Sequence, residues 1–95
     1  MAGMWVLHID VTDPEKYGEY IEGSSEVAPA YGGQFIARGG RYQQVEGRDY
    51  ARNVIVRFPT YEKAVEAYES EEYQAIVGLA TEASERQFTI IEVDD

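Results

Sequence analysis

Apolar and polar positions alternate from Trp5 to Val11, with Trp5, Leu7, Ile9 and Val11 on one side and Val6, His8 and Asp10 on the other. A two-residue period marks a strand with one buried face. The period then changes. Thr12 or Asp13 followed by Pro14 reads as a helix start, with Glu15 available for a capping box. Tyr17, Tyr20, Ile21, Ser24, Val27, Ala28 and Tyr31 recur at helical spacing on one stripe, and the glutamates at 15, 19, 22 and 26 fall mostly outside it. Gly18 and Gly23 each cost that helix about 1 kcal/mol relative to Ala, so packing must hold it. Pro29 disturbs its last turn, and Gly32-Gly33 ends it.

Gln34 to Arg38 alternates again, Phe35 and Ala37 against Gln34, Ile36 and Arg38. Gly39-Gly40 is either a two-residue hairpin turn or a bulge in a strand that resumes over 41–45. The bulge is preferred, because Glu46 to Asp49 makes the better hairpin loop. A third strand runs from Asn53 to Phe58, with Val54, Val56 and Phe58 against Asn53, Ile55 and Arg57. Pro59-Thr60 caps a helix carrying Ala64, Val65 and Tyr68. Ser70 caps another, with Glu71 and Glu72 at the positive end of its dipole. Its stripe is Tyr73, Ile76, Val77, Ala80 and Ser84. Phe88 to Val93 closes the chain as a fourth strand, and Asp94-Asp95 is a frayed tail.

The order is therefore β-α-β-β-α-β. Right-handed crossovers turn it into an antiparallel sheet with both helices on one face, an α+β fold of ferredoxin-like layout. The second face would then collect Val6, His8, Ile36, Arg38, Ile55 and Arg57 with Gln34 and Asn53. That mixture is too apolar to be left to water, so a second sheet covering it, as in a homodimer, is expected.

At 95 residues the chain reads as a single domain over 1–95, large enough for one core. Its 8 basic and 18 acidic residues leave a net charge of −10, which disfavours nucleic acid and anionic membranes as partners. Cysteine is absent, so disulfides and thiolate metal sites are excluded. The N-terminus has no basic region followed by an apolar stretch, which makes the cytoplasm the default location. No phosphate-binding glycine loop is present, since the stretch from Tyr31 to Gly40 lacks the spacing and the following helix.

His8 is the only histidine and the only side chain that titrates near neutrality unperturbed. It reads as a general base, or as a polar strand residue at a subunit interface. A haem reading has no second axial ligand to support it. Arg38 ends an apolar strand beside a glycine pair that can re-aim it, so its guanidinium suits a forked contact to a carboxylate or enolate oxygen. The other reading is an ion pair with Glu46. Alternation places Asn53 and Arg57 on the same face as His8 and Arg38. Tyr17, Tyr20 and Tyr73 lie on inward stripes and would either wall a ligand pocket or fill the core. One histidine with no cysteine leaves only carboxylates as metal ligands, and their pattern resembles no calcium loop, so neither a metal nor a cofactor is expected.

The stretches WVLHIDVTDPEKYGEY, YGGQFIARGG, VEG, VIVRFPTYEKAVEAYESEEYQAI and TIIEV resemble the DUF1330 family over nearly the whole chain, in the family's order. One departure is Glu71, where that family usually has proline. The resemblance implies a dimeric α/β barrel, in which two ferredoxin-like sheets pair face to face. That superfamily also holds cofactor-free monooxygenases, muconolactone isomerases, haem-degrading enzymes and stress-responsive barrels. Two functions follow as expectations. One is metal-free proton transfer or oxygenation of a small organic anion, with His8 as base and Arg38 as anchor. The other is a non-catalytic, ligand-binding or stress-associated dimer.

Overall fold

In the computed structural model, which describes residues 1–94, the chain runs β1 (Gly3–Val11), α1 (Pro14–Ala30), β2 (Gln34–Arg38), β3 (Arg52–Phe58), α2 (Tyr61–Glu69), α3 (Glu71–Ala83) and β4 (Ser84–Glu92). Asp95 lies outside the described residues. The strands order as β2-β3-β1-β4 and every neighbouring pair is antiparallel. Each β-α-β half thus spans one strand of the other half, which is the ferredoxin-like α+β topology.

Local chemistry sets the element ends. The Asp13 side chain caps α1 by accepting from the Lys16 N–H. A capping box through Glu15 would need Thr12 at that position, so it does not form. At the other end Gly32, at φ 83°, donates to the Pro29 carbonyl and Gly33 donates to the Ala28 carbonyl. That pair of bonds is a Schellman motif, and its left-handed residue favours glycine. Thr60 and Ser70 cap α2 and α3 by accepting from the N–H groups of Lys63 and Tyr73.

The helices cover one face of the sheet. Trp5, Leu7, Ile9, Val54, Val56 and Phe58 share a buried core with helix residues, among them Tyr17, Tyr20, Ala64 and Tyr73. Trp5 anchors it. Its indole lies 4.9 Å from the Phe58 ring and 5.2 Å from those of Tyr73 and Phe88. The indole N–H donates to the Ala64 carbonyl at 2.9 Å, so the buried ring leaves no orphan donor. On the opposite face Val6, His8, Asn53, Ile55 and Arg57 are half-buried. Ile36 and Ile91 are 50% and 43% exposed there, too much apolar surface for a well-hydrated face.

Three sequence expectations need correction. Residues 41–45 form no strand: β2 stops at Arg38, and the chain leaves the sheet edge at Gly39. Tyr42 and Val45 are 45% and 80% exposed, so there is no buried face for their alternation to serve. The bulge exists but lies earlier, with Phe35 opposite Val56, Ala37 opposite Ile55, and Ile36 the unpaired extra residue. Finally, β4 begins at Ser84 directly after α3, and its first residues ladder with β1 through Val11 and Asp10.

Candidate functional site

The bulge at Ile36 decides where Arg38 goes. Beyond an inserted residue the alternation inverts. Arg38 pairs with Val54, a core residue, and lies on the helix side of the sheet, while Ala37 moves to the outer side. The expected cluster of His8, Arg38, Asn53 and Arg57 on one face therefore does not form, because the sheet separates Arg38 from His8. Nor does Arg38 pair with Glu46. Its guanidinium lies 4.0 Å over the Phe35 ring and donates to the Ser25 hydroxyl, bridging the edge strand to α1.

Two further arginines occupy the same side. Arg52 and Arg86 are opposite Ile9 in the two ladders that flank β1, and both precede a core position by two residues (Val54 and Phe88). Arg38 and Arg52 line a cavity between sheet and α1 that is otherwise mainly apolar, with Trp5, Leu7, Val54 and Val56 in its floor and Tyr17, Tyr20 and Ile21 in its roof. Its empty volume is about 360 Å³ counted to its open mouth, and about 20 Å³ of that can take the centre of a water molecule. That is room for little more than one water. Over it, α1 carries Gly18 and Gly23, and the Ser24 and Ser25 hydroxyls bond back to the Ile21 carbonyl. Both features weaken a helix against bending.

The charge balance in this cavity is one-sided. No histidine, aspartate or glutamate lines it, and among the described residues none of Arg38, Arg52 and Arg86 has a carboxylate within ion-pair distance. The Arg52 Nε–H is enclosed and has no hydrogen-bond partner among the described residues. Gly39 makes room for that side chain: a Cβ there would sit 2.7 Å from Arg52 Nη1.

Arg86 is tied to the tyrosines. Its Nη1 donates to the Tyr20 hydroxyl and its Nη2 to the Tyr73 hydroxyl, both at 3.2 Å, and the two hydroxyls are 2.6 Å apart. Burial pushes the Tyr73 phenol well above its ordinary range, and the neighbouring Tyr20 adds to the shift. Burial likewise raises Tyr17, with Tyr20 adding and Arg86 and Arg52 opposing. For Arg86 burial works downward, but the Tyr20 and Tyr73 oxygens outweigh it and the guanidinium is held more firmly charged. Tyr17 and Tyr20 are thus cavity wall, while Tyr73 is core and reaches the site through Arg86 and Tyr20.

His8 serves the other face. Asn53 donates through its Nδ2 to the Tyr50 carbonyl at 3.2 Å, so its Oδ1 is the atom 2.6 Å from His8 Nδ1. Nδ1 is therefore the donor in this bond. The ring borders a separate polar hollow with Gln44, Arg48, Tyr50 and Gln87. Asp10 secures the loop around that hollow. It accepts from the Ala51 N–H at 2.9 Å and from Arg48 at 2.8 Å, and these bonds, the backbone one foremost, hold its carboxyl below its usual range. Arg57 lies on this face beside Ile55, opposite Met4. Among the described residues no group of three or more His, Cys, Asp or Glu is gathered as a metal would require. No helix among them is long and apolar enough to cross a membrane.

Arg52 and Arg86 escape a reading that starts each strand at its first run of apolar residues. The signal that finds them is the inward alternation carried one step back, from Val54 to Arg52 and from Phe88 to Arg86.

Known structures share this architecture. A dimeric ferredoxin-like protein of unknown function from Jannaschia sp. CCS1 superposes with a TM-score of 0.78 at 12% identity, covering 98% of this chain and 100% of its own. The RPA0582 protein of unknown function from Rhodopseudomonas palustris gives 0.77 at 15% identity, covering 99% and 83%. SnoaB, a cofactor-independent oxygenase from Streptomyces nogalater, gives 0.70 at 9% identity, covering 99% and 94%. At such identities the likeness is one of fold. No curated protein matches the chain in sequence. The family model for DUF1330, a domain of unknown function, matches residues 2–94, and with strands, caps and both glycine ends in the expected order the chain belongs to that family.

Proposed function

We propose that the chain binds a small organic anion between helices and sheet, with Arg52 as the inner anchor and Arg38 as the gate. One observation carries this reading: Arg52, whose enclosed Nε–H has no hydrogen-bond partner among the described residues, is part of the lining of a mainly apolar cavity that holds no carboxylate. Leaving such a donor unsatisfied costs about 1–3 kcal/mol, and more where the group is charged. An anion with an apolar body answers both features, since its oxygen meets Arg52 while its body meets Trp5, Leu7 and Val54. The space is narrow, so admission requires the Arg38–Ser25 bridge to part and the glycine-bearing α1 to move outward.

The pairing of His8 as base with Arg38 as anchor on one substrate is not carried forward, because the sheet lies between them. With no imidazole or carboxylate in its lining, the cavity supports binding better than proton abstraction. A second reading is oxygenation of the bound anion without a cofactor. It draws on the fold shared with SnoaB, and it would need the substrate itself to supply the electrons. We also infer a homodimer through the outer sheet face, supported by the exposed Ile36 and Ile91 and by the dimeric neighbour of the same fold.

Native mass spectrometry of gently purified parent and Arg52→Gln chains, followed by benzoate titration, tests the site. The expected result is uptake by the parent and a loss of about tenfold or more in the variant, the size of one charge-assisted bond. Equal behaviour of the two chains would remove the anchor.

A further inference from the structure

The protons of the Tyr20–Tyr73–Arg86 cluster can be placed by counting donors and acceptors. Arg86 only donates, so both phenolic oxygens accept from it. One hydroxyl then donates to the other across 2.6 Å. Tyr73 is wholly buried, and among the described residues its hydroxyl meets no acceptor except the Tyr20 oxygen. If Tyr20 were the donor, the Tyr73 proton would be buried without an acceptor, a costly arrangement. Either choice leaves one proton without a protein acceptor, and Tyr20 lines the cavity while Tyr73 does not, so the spare proton is assigned to Tyr20 and Tyr73 is the donor. The Tyr20 oxygen accepts twice, from Tyr73 and from Arg86, and both of its lone pairs are used. Its own O–H is left over, and Tyr20 lines the cavity that Arg52 also lines.

We propose that the Tyr20 hydroxyl donates into this cavity and meets the oxygen of the bound anion, with Tyr73 and Arg86 as positioning residues. The ligand class narrows accordingly to an oxyanion on an apolar or aromatic body, such as a carboxylate, enolate or phenolate. A hydroxyl that already accepts two hydrogen bonds is polarised and donates more strongly than a free phenol, which suits it to charge localised on oxygen. This rests on the anion-site reading above and adds to it the identity of the second contact.

The test uses benzoate and 4-nitrophenolate, the latter at a pH where it is ionised, titrated into the parent, Tyr20→Phe, Tyr73→Phe and Arg52→Gln chains. Tyr20→Phe is expected to weaken both probes by about ten- to a hundredfold, the range of a hydrogen bond to a charged group. It should also move the absorption band of bound nitrophenolate to longer wavelength, as the loss of a donor to its oxygen requires. Tyr73→Phe should weaken binding less and leave the band near the parent position. If Tyr20→Phe loses its fold by near-UV circular dichroism, Tyr73→Phe still decides. With the opposite proton placement it would free the Tyr20 proton, tighten binding and shift the band to shorter wavelength, and that result overturns the proposal. Tyr20→Phe behaving as the parent while Arg52→Gln is weakened overturns the Tyr20 assignment and leaves the anion site standing. Arg52→Gln behaving as the parent, or no uptake by the parent, removes the anion site and this proposal with it.

Discussion

Replacing Gly39 and Gly40 separately by alanine probes how the chain's exit from β2 supports the site. Gly39 has φ 74°, and its N–H still donates to the Asn53 carbonyl at 3.0 Å, so the left-handed turn is what carries the chain off the sheet edge. An L-residue in that region costs about 1–2 kcal/mol. The added Cβ also sits 2.7 Å from Arg52 Nη1, and the guanidinium must swing to relieve it. That contact costs the site more than the fold, because the atom is the far end of a long side chain. At Gly40 the backbone is outside the positive-φ region and a built Cβ meets nothing within 4 Å. Alanine there should fall within about 0.5 kcal/mol of the parent. In a domain of this size 1 kcal/mol moves the melting temperature by about 4–8 °C. Gly39→Ala is thus expected to melt roughly 4–16 °C below the parent, and Gly40→Ala within about 4 °C of it. Thermal melts by circular dichroism supply the measurement, and benzoate affinity should fall for Gly39→Ala alone. Equal melting temperatures would refute the required turn, and a destabilised Gly39→Ala with undiminished affinity would refute its link to Arg52.

Other consequences are simpler to state. Ile55→Asp should convert a micromolar dimer to monomer in sedimentation equilibrium, because it places an unpaired charge in the proposed interface; a variant that stays dimeric would exclude that face. Tyr17 and Tyr73 have folded pKa values above the ordinary phenol, so the unfolded chain ionises first. Their contribution to stability is complete below about pH 10 and falls as pH rises further. An ultraviolet titration should then show both rings ionising together with unfolding, and full reversible ionisation of all tyrosines in the folded chain would contradict their burial. Asp10 has the opposite sign: its lowered carboxyl stabilises the loop above about pH 4 and ceases to as pH falls through its folded value. Asp10→Asn should remove that acid-dependent part of amide protection at Ala51, which hydrogen exchange reads directly.

Much of the fold was legible because caps and periods are local. Asp13, Thr60 and Ser70 mark helix starts by side-chain chemistry that needs no tertiary context, and Gly32 marks an end by its φ. The inward face of β1 and β3 followed from strict alternation of Trp5, Leu7, Ile9 and of Val54, Val56, Phe58. The site was less legible for a specific reason. A bulge that inserts Ile36 carries no side-chain signature, since any residue can occupy it, yet it exchanges the faces of Ala37 and Arg38. The glycine pair at 39–40 drew the expected bulge three to four residues too late. Arg86 lay hidden in a polar stretch, Ser84 to Gln87, whose strand is dictated by the β1 ladder and not by its own composition. His8 and Asn53 were correctly placed together, since no irregularity separates β1 from β3.

The most direct test of the central claim is where an organic anion sits. A crystal structure of the chain grown with 4-bromobenzoate locates the ring by the anomalous signal of bromine, independently of the protein density. The expected result is a bromine site between sheet and α1, with the carboxylate on the Arg52 guanidinium and the Tyr20 hydroxyl and the Arg38–Ser25 bridge opened. Bromine on the outer face beside His8, or an empty helix–sheet cavity at a ligand concentration that saturates binding in solution, would contradict it.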